Sequence, residues 1–212
     1  MLNSFVDRSF YSHPKFKDIP KKFLVLKDIA FSGDGEPSLF PNLFDLTQGV
    51  ISLKKNMGFP KVKLVLITNT TGFSRPNTIK ALELLYSDHG NVWAKLDAGT
   101  DAYFQQVCRS AFPFNKILDN ILHLSLTRPI MIQTCFMKIN NVAPSREEVE
   151  AYCQRLIDIK NKNGKLKLIQ IYTVARKPTE DYVAPLENKE IDEIVELVRN
   201  KSGLQVRPYY HS

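Results

Sequence analysis

The chain has 212 residues, with 29 Lys and Arg against 22 Asp and Glu, which gives a formal charge of +7. That length supports the core of one α/β domain, and 43% hydrophobic with 24% charged residues excludes disordered, collagen-like and low-complexity classes. Three cysteines, at 108, 135 and 153, form neither the close pairs of a zinc site nor a disulfide framework, so a reducing compartment is expected. The opening MLNSFVDRSFYSHPKF lacks the apolar run of a signal peptide, and no stretch approaches the ~20 apolar residues that span a bilayer. The expectation is a cytoplasmic protein with no membrane contact. The lysines are spread along the chain, which favours solvated loops and helix ends over a nucleic-acid stripe.

In chain order, residues 1–26 read as an irregular aromatic and basic lead-in to a domain over 27–212. Its Phe5, Phe10, Tyr11, Phe16 and Phe23 are expected to pack over an open sheet edge. Six β-rich runs follow, at 27–32 (KDIAFS), 63–68 (KLVLIT), 91–96 (NVWAKL), 130–136 (IMIQTCF), 166–172 (LKLIQIY) and 204–209 (LQVRPY). Their spacing is close to the ~30 residues of a βαβ unit. Helical patterns lie between them. Phe114, Ile117, Leu118, Ile121 and Leu122 form one apolar stripe, and Val149, Tyr152, Cys153, Leu156 and Ile157 another, announced by Pro144 and a Ser145-x-x-Glu148 capping box. Ile191, Ile194, Val195 and Val198 mark a further helix, ended by Gly203.

Strand then helix, repeated six times, predicts an α/β fold of parallel strands covered by helices. Polar residues recur near strand ends, with Lys95 and Asp97 on one run, Gln133 and Cys135 on the next, and Gln170 and Tyr172 on the fifth. An open doubly wound sheet would keep both faces apolar, whereas a barrel carries ligand groups at its upper lumen. The fold expected is therefore a partial (βα)6-type TIM-like barrel.

Chemistry is concentrated at 29–37, IAFSGDGEP, where a strand stops at a turn with two glycines that lets the main chain approach a ligand. Read alone, this is also a plain strand-to-helix turn with Pro37 near a helix start. Three further strand ends, LITNT (66–70), WAKLDAGT (93–100) and QIYTVAR (170–176), accompany it. With them the sequence resembles the radical S-adenosylmethionine superfamily, in the branch of wyosine-type tRNA-modifying enzymes and their bacterial relatives. FSGDGEP is the most specific element of the resemblance, and KLDAG supports it.

The resemblance implies S-adenosylmethionine at the carboxyl ends of the strands. It assigns the turn of Ser32, Gly33, Asp34, Gly35 and Glu36 to the methionine amino group, and places Asn69, Lys95 and Asp97 around the same cofactor. Gln133, Gln170 and Tyr172 are further candidates, and Arg176 is a candidate for a substrate anion or a solvated loop residue. The alternatives from the residues alone are a turn role for Asn69, an internal ion pair for Lys95 and Asp97, and lumen packing for Gln133 and Tyr172.

The family also implies a [4Fe–4S] cluster held by CxxxCxxC upstream of FSGDGEP, but no cysteine precedes Cys108. No metal ligands are assigned. Cys108 and Cys153 read as core thiols, and Cys135 as the one thiol facing a ligand. By strand count the chain resembles a truncated barrel without its first strand and helix. In the complete form, such a domain cleaves S-adenosylmethionine to a 5′-deoxyadenosyl radical, with an RNA substrate and a redox partner. This chain alone is expected to be inactive in that reaction. The competing readings are a non-catalytic remnant that binds S-adenosylmethionine, a nucleotide or RNA, and an aldolase-like barrel with Lys95 as a Schiff base. No histidine pair with metal-ligand spacing exists among His13, His89, His123 and His211.

Overall fold

The structure is a computed structural model that describes residues 4, 6, 7, 9–33 and 35–210, and only the main chain of Phe10 and Lys21. Asp34, Phe5 and His211 therefore lie outside the described residues.

The six expected strands are present as β1 (Asp28–Phe31), β2 (Lys63–Thr68), β3 (Asn91–Lys95), β4 (Ile130–Cys135), β6 (Leu166–Tyr172) and β8 (Val206–Tyr209). They form one open parallel sheet in the order β1-β2-β3-β4-β6-β8. Between the strands, among the described residues, lie α1 (Leu43–Asn56), α2 (Pro76–Ser87), α3 (Asp101–Cys108), α4 (Phe114–Thr127), α5 (Arg146–Asn161) and α6 (Asn188–Ser202). The α/β fold of partial-barrel type is thus borne out. Two short strands, β5 (Lys138–Ile139) and β7 (Val183–Ala184), pair antiparallel as an addition that two-residue segments do not announce in sequence.

The chain divides into two compact units. The first comprises residues 1–66 and 74–91. In it β1 pairs with β2 from Asp28↔Lys63 to Phe31↔Leu66, and Leu64, Val65 and Leu66 are buried, as a parallel strand covered on both faces requires. Lys54 on α1 is fully buried, and its ammonium meets Asp88 at 2.7 Å and donates to the Pro60 carbonyl at 2.9 Å. An unpaired lysine there would cost several kcal/mol, so Asp88 is a structural partner. The lead-in enters through short 3-10 turns at Ser9–Ser12 and Lys21–Phe23. Of the aromatics expected to pack, Phe23 is 65% exposed, whereas Tyr11 and Phe16 are half-buried.

The second unit, residues 67–73 and 92–212, contains β3, β4, β6 and β8. Their register sets Lys95 beside Gln133, Gln133 beside Gln170, and Cys135 beside Tyr172, so these residues share one face. The opposite face carries Val92, Ala94, Ile130, Ile132, Ile169 and Ile171, all essentially buried. On α5 the stripe of Val149, Tyr152, Cys153 and Leu156 is buried, as is that of Ile191, Val195 and Val198 on α6. Gly203 ends α6 in the left-handed region, at φ 63°.

The capping box at α5 is only half made. Ser145 accepts from the Glu148 amide at 3.2 Å, but the Glu148 carboxylate turns away to the loop after β3. A complete box forms instead between Glu187 and Glu190 at α6, where Glu replaces the Ser or Thr that marks the motif in sequence.

Candidate functional site

The turn after β1 is a feature of the first unit. Ser32, Gly33 and Gly35 are exposed, and Glu36 accepts from the Ser38 amide at 2.9 Å to cap the 3-10 turn Pro37–Leu39. Glu36 therefore has the local turn role open to it from sequence. The glycines differ. A Cβ at Gly33 or Gly35 would meet nothing within 4 Å, and neither residue has a left-handed φ, so neither packing nor conformation calls for glycine. Ser32, Gly33, Gly35 and Glu36 border a hollow of about 350 Å³ whose apolar side is Phe31, Phe40, Leu43 and Leu46.

In the second unit, Asn69, Lys95, Asp97 and Tyr172 come together on one cavity of about 330 Å³. Ligand cavities begin at about 300 Å³, so this one suits a compact molecule or part of a larger one. Lys95 ends β3, Asp97 follows two residues later, and Tyr172 ends β6. The Lys95 ammonium lies 3.1 Å from Asp97 Oδ2 and donates to the Tyr172 hydroxyl at 3.1 Å. Asp97 Oδ1 accepts from the Cys135 amide at 2.7 Å, which ties the ends of β3 and β4 together. The internal ion pair read as the alternative thus exists, and the pair also lines the cavity.

Burial works against the charge on Lys95, but the Asp97 carboxylate and Tyr172 more than offset it and hold the ammonium above its ordinary range. With three N–H donors and two protein acceptors, this ammonium has a third donor, and 32% of its side-chain surface is open. Burial, then Asp97, push the Tyr172 hydroxyl and the Cys108 and Cys135 thiols each up to about 12, with Lys95 opposing. Both thiols are neutral at physiological pH.

The apolar wall consists of Leu96, Phe104, Val107, Ile117 and Met137. Cys108 is half-buried and lines the cavity, which corrects its reading as a core thiol, whereas Cys153 is buried as expected. Thr71, Ser110 and Met137 were not singled out in sequence, because they stand in the loops at strand and helix ends, where no periodicity operates. Asn69 accepts from the Thr71 amide and hydroxyl at 3.1 and 2.7 Å, the turn role read as its alternative, while also bordering the cavity. Gln133 stands apart from the cavity lining: it donates to Gln170 at 3.1 Å, and Gln170 donates to Tyr209 at 3.2 Å. Arg176 is exposed in the loop after β6.

The KLDAG glycine has a purely packing reason. A Cβ at Gly99 would fall on the main chain of Glu148, Ala151 and Tyr152 in α5. The Glu148 carboxylate accepts from the Gly99 amide and, at 2.6 Å, from the Thr100 hydroxyl, and Arg155 donates to the Gly99 carbonyl at 2.9 Å. This clamp fixes the turn that carries Asp97.

The residues present do not fit an iron–sulfur cluster. Two of the three cysteines reach the cavity, both as neutral thiols, and the third is buried on α5. The described residues contain no grouping of three potential metal ligands among His, Cys, Asp and Glu. Among them, too, no helix is long and apolar enough to cross a membrane.

No protein-family model and no curated protein sequence matches the chain. Among solved structures, one described as TYW1 with a lysine-pyruvate adduct bound is similar over 95% of this chain, with a TM-score of 0.58 and 16% identity. The chain spans 62% of that protein's length. The likeness shows a shared α/β fold of parallel strands and flanking helices.

Proposed function

We propose that the chain is a small-molecule-binding domain of radical S-adenosylmethionine type, whose cavity at the ends of β3, β4 and β6 takes the methionine end of S-adenosylmethionine. The observation that carries this reading is the Lys95 ammonium, kept charged by Asp97 and Tyr172, with a third donor beside an apolar wall. Such a group recognises a carboxylate, and a wall containing Phe104 and Met137 suits a thioether or sulfonium arm. When bound, the cofactor would supply the 5′-deoxyadenosyl group. Because the cysteines do not fit a cluster, no homolytic step is derived for this chain. The RNA substrate and redox partner belong to the complete reaction, and the free thiols suit a cytoplasmic setting.

Titration calorimetry of the purified chain with S-adenosylmethionine tests the reading. Binding that weakens at least about tenfold in Lys95→Met is expected, the loss of one charge-assisted hydrogen bond. An unaltered chain that takes up no S-adenosylmethionine overturns it.

A second reading has support in the lysine-pyruvate adduct named for the TYW1 structure. Lys95 would then attack a keto acid as a free amine. Its raised pKa opposes this, since the ammonium carries no lone pair. Borohydride reduction with pyruvate, followed by mass spectrometry, is expected to leave Lys95 unmodified; a reduced adduct on Lys95 would favour the second reading.

A further inference from the structure

The turn after β2 breaks a local rule. Thr70 has φ 69°, in the left-handed region, where a β-branched side chain crowds its own main chain. The other non-glycine residues with positive φ among the described ones are His89, Arg109, Asn140, Asn141 and Asn163, none of them β-branched. Residues that accept this conformation at little cost lie on either side. Asn69 precedes Thr70 and Gly72 follows two residues later, yet neither has a positive φ. Thr70 is also fully buried, and its hydroxyl finds no hydrogen-bond partner among the described residues. A strained main chain and an unsatisfied buried hydroxyl both oppose folding, and such a residue persists only where its surroundings hold it.

Three bonds do so. The Thr70 amide donates to Thr68 Oγ1 at 2.9 Å, and the Thr70 carbonyl accepts from the Phe73 amide at 3.2 Å. Both are local to the turn. The third comes from α4, where Asn120 Nδ2 donates to the same carbonyl at 2.9 Å, and α4 also supplies Ile117 to the cavity wall. The neighbours of Thr70, Asn69 and Thr71, both line that cavity. The bonds from the Thr71 amide and hydroxyl to Asn69 Oδ1 fix the sense of the Asn69 carboxamide. A relaxed Thr70, with negative φ, would redirect the chain at this point and swing its neighbours off the cavity.

We infer that Thr70 and Asn120 are positioning residues of this cavity: Asn120 holds Thr70 in the left-handed conformation that keeps Asn69 and Thr71 on the ligand side. The inference rests on the reading of the cavity as a ligand site, and not on that ligand being S-adenosylmethionine. It also accounts for the misplaced conformation, because a rule broken without gain in packing marks a site held for another purpose.

Nuclear magnetic resonance of the labelled chain reads the placing of Asn69 through its carboxamide protons, with calorimetry of S-adenosylmethionine alongside. Asn120→Ala suits a helix interior, so α4 keeps its fold. It should move the Asn69 carboxamide signals towards those of a free amide and weaken binding about tenfold. Adding Thr70→Gly should restore both, since glycine occupies the left-handed region without strain, a rescue that a merely stabilising bond would not show. Thermal melting supplies a further arm, in which Thr70→Gly melts about 2–4 °C above Thr70→Ala, the reverse of the order at an ordinary φ. Asn69 signals unmoved by Asn120→Ala overturn the inference, as does a double variant that restores neither readout, or an alanine variant that melts above the glycine one. A chain that shows the full spectroscopic pattern but takes up no S-adenosylmethionine upholds the positioning role and refutes the cofactor reading alone.

Discussion

The turns after β1 and β3 both contain glycine, and differ in what the glycine is for. At Gly99 the main chain of α5 fills the place a side chain would take, and Glu148 and Arg155 clamp the turn from both sides. At Gly33 and Gly35 nothing stands within 4 Å of that place. A motif glycine can thus report helix packing or a space left open, and sequence alone does not separate the two. The difference is measurable.

The largest effect is expected at Gly99. Gly99→Ala forces a methyl group onto rigid main chain, and overpacking of that kind costs about 3 kcal/mol or more. Thermal melting should fall by roughly 10 °C for a chain of this size. Unchanged melting would mean that α5 yields easily and that the clamp is not what fixes the turn. Next comes Glu148→Ala, which leaves the Gly99 amide and Thr100 hydroxyl without their acceptor at a cost of about 2–4 kcal/mol. Chemical denaturation measures it. Glu148→Gln, which keeps an acceptor oxygen, should lose about half as much.

Asp97→Asn has a smaller cost in stability, about 1–2 kcal/mol, because the ion pair is lost while an oxygen still accepts from the Cys135 amide. Its sharper consequence is on Lys95. With the carboxylate gone, burial is opposed by less, and the ammonium titrates lower than in the unaltered chain. Amine labelling of Lys95 against pH should show that displacement. A titration unmoved by Asp97→Asn would remove Asp97 as the holder of the charge.

The cavity also predicts an alkaline limit. Cys108, Cys135 and Tyr172 have folded values raised to about 12, so above the ordinary thiol range the folded state holds protons that the unfolded state has released. Stability is therefore complete below about pH 8 and falls as the pH rises from there towards 12. Denaturation midpoints at rising pH check the sign, and replacing Cys108 and Cys135 together with Ser should flatten the curve.

Much of this was legible because periodicity is a local signal. The β2 run KLVLIT and the α5 stripe through Tyr152 and Leu156 each announce an element by the faces they bury. Lys95, Asp97 and Tyr172 could be named because strand ends in such folds point to one side. What stayed hidden depends on distant partners. Glu148 reads as a cap for its own helix, yet a loop 48 residues away in sequence offers the Thr100 hydroxyl, and the buried carboxylate goes there. Cys108 reads as core because helix periodicity does not reveal that the last turn of α3 faces a cavity. Gln133 finds an amide partner on the neighbouring strand, which only register discloses.

The smallest effect on stability, and the one that decides the comparison, is at the β1 turn. Gly33→Ala and Gly35→Ala add a methyl group to open space at an ordinary φ, so melting should shift by no more than about 0.5 kcal/mol. It could even rise, since alanine narrows the unfolded ensemble where the native backbone suits it. If the open space exists so that a ligand can lie against the main chain, the same methyl groups should weaken S-adenosylmethionine binding at least about tenfold while stability holds. Calorimetry and melting on the same samples separate the outcomes. Lost binding with unchanged melting assigns the turn to a ligand, whereas unchanged binding leaves Glu36 and its cap on the Ser38 amide as the turn's whole role.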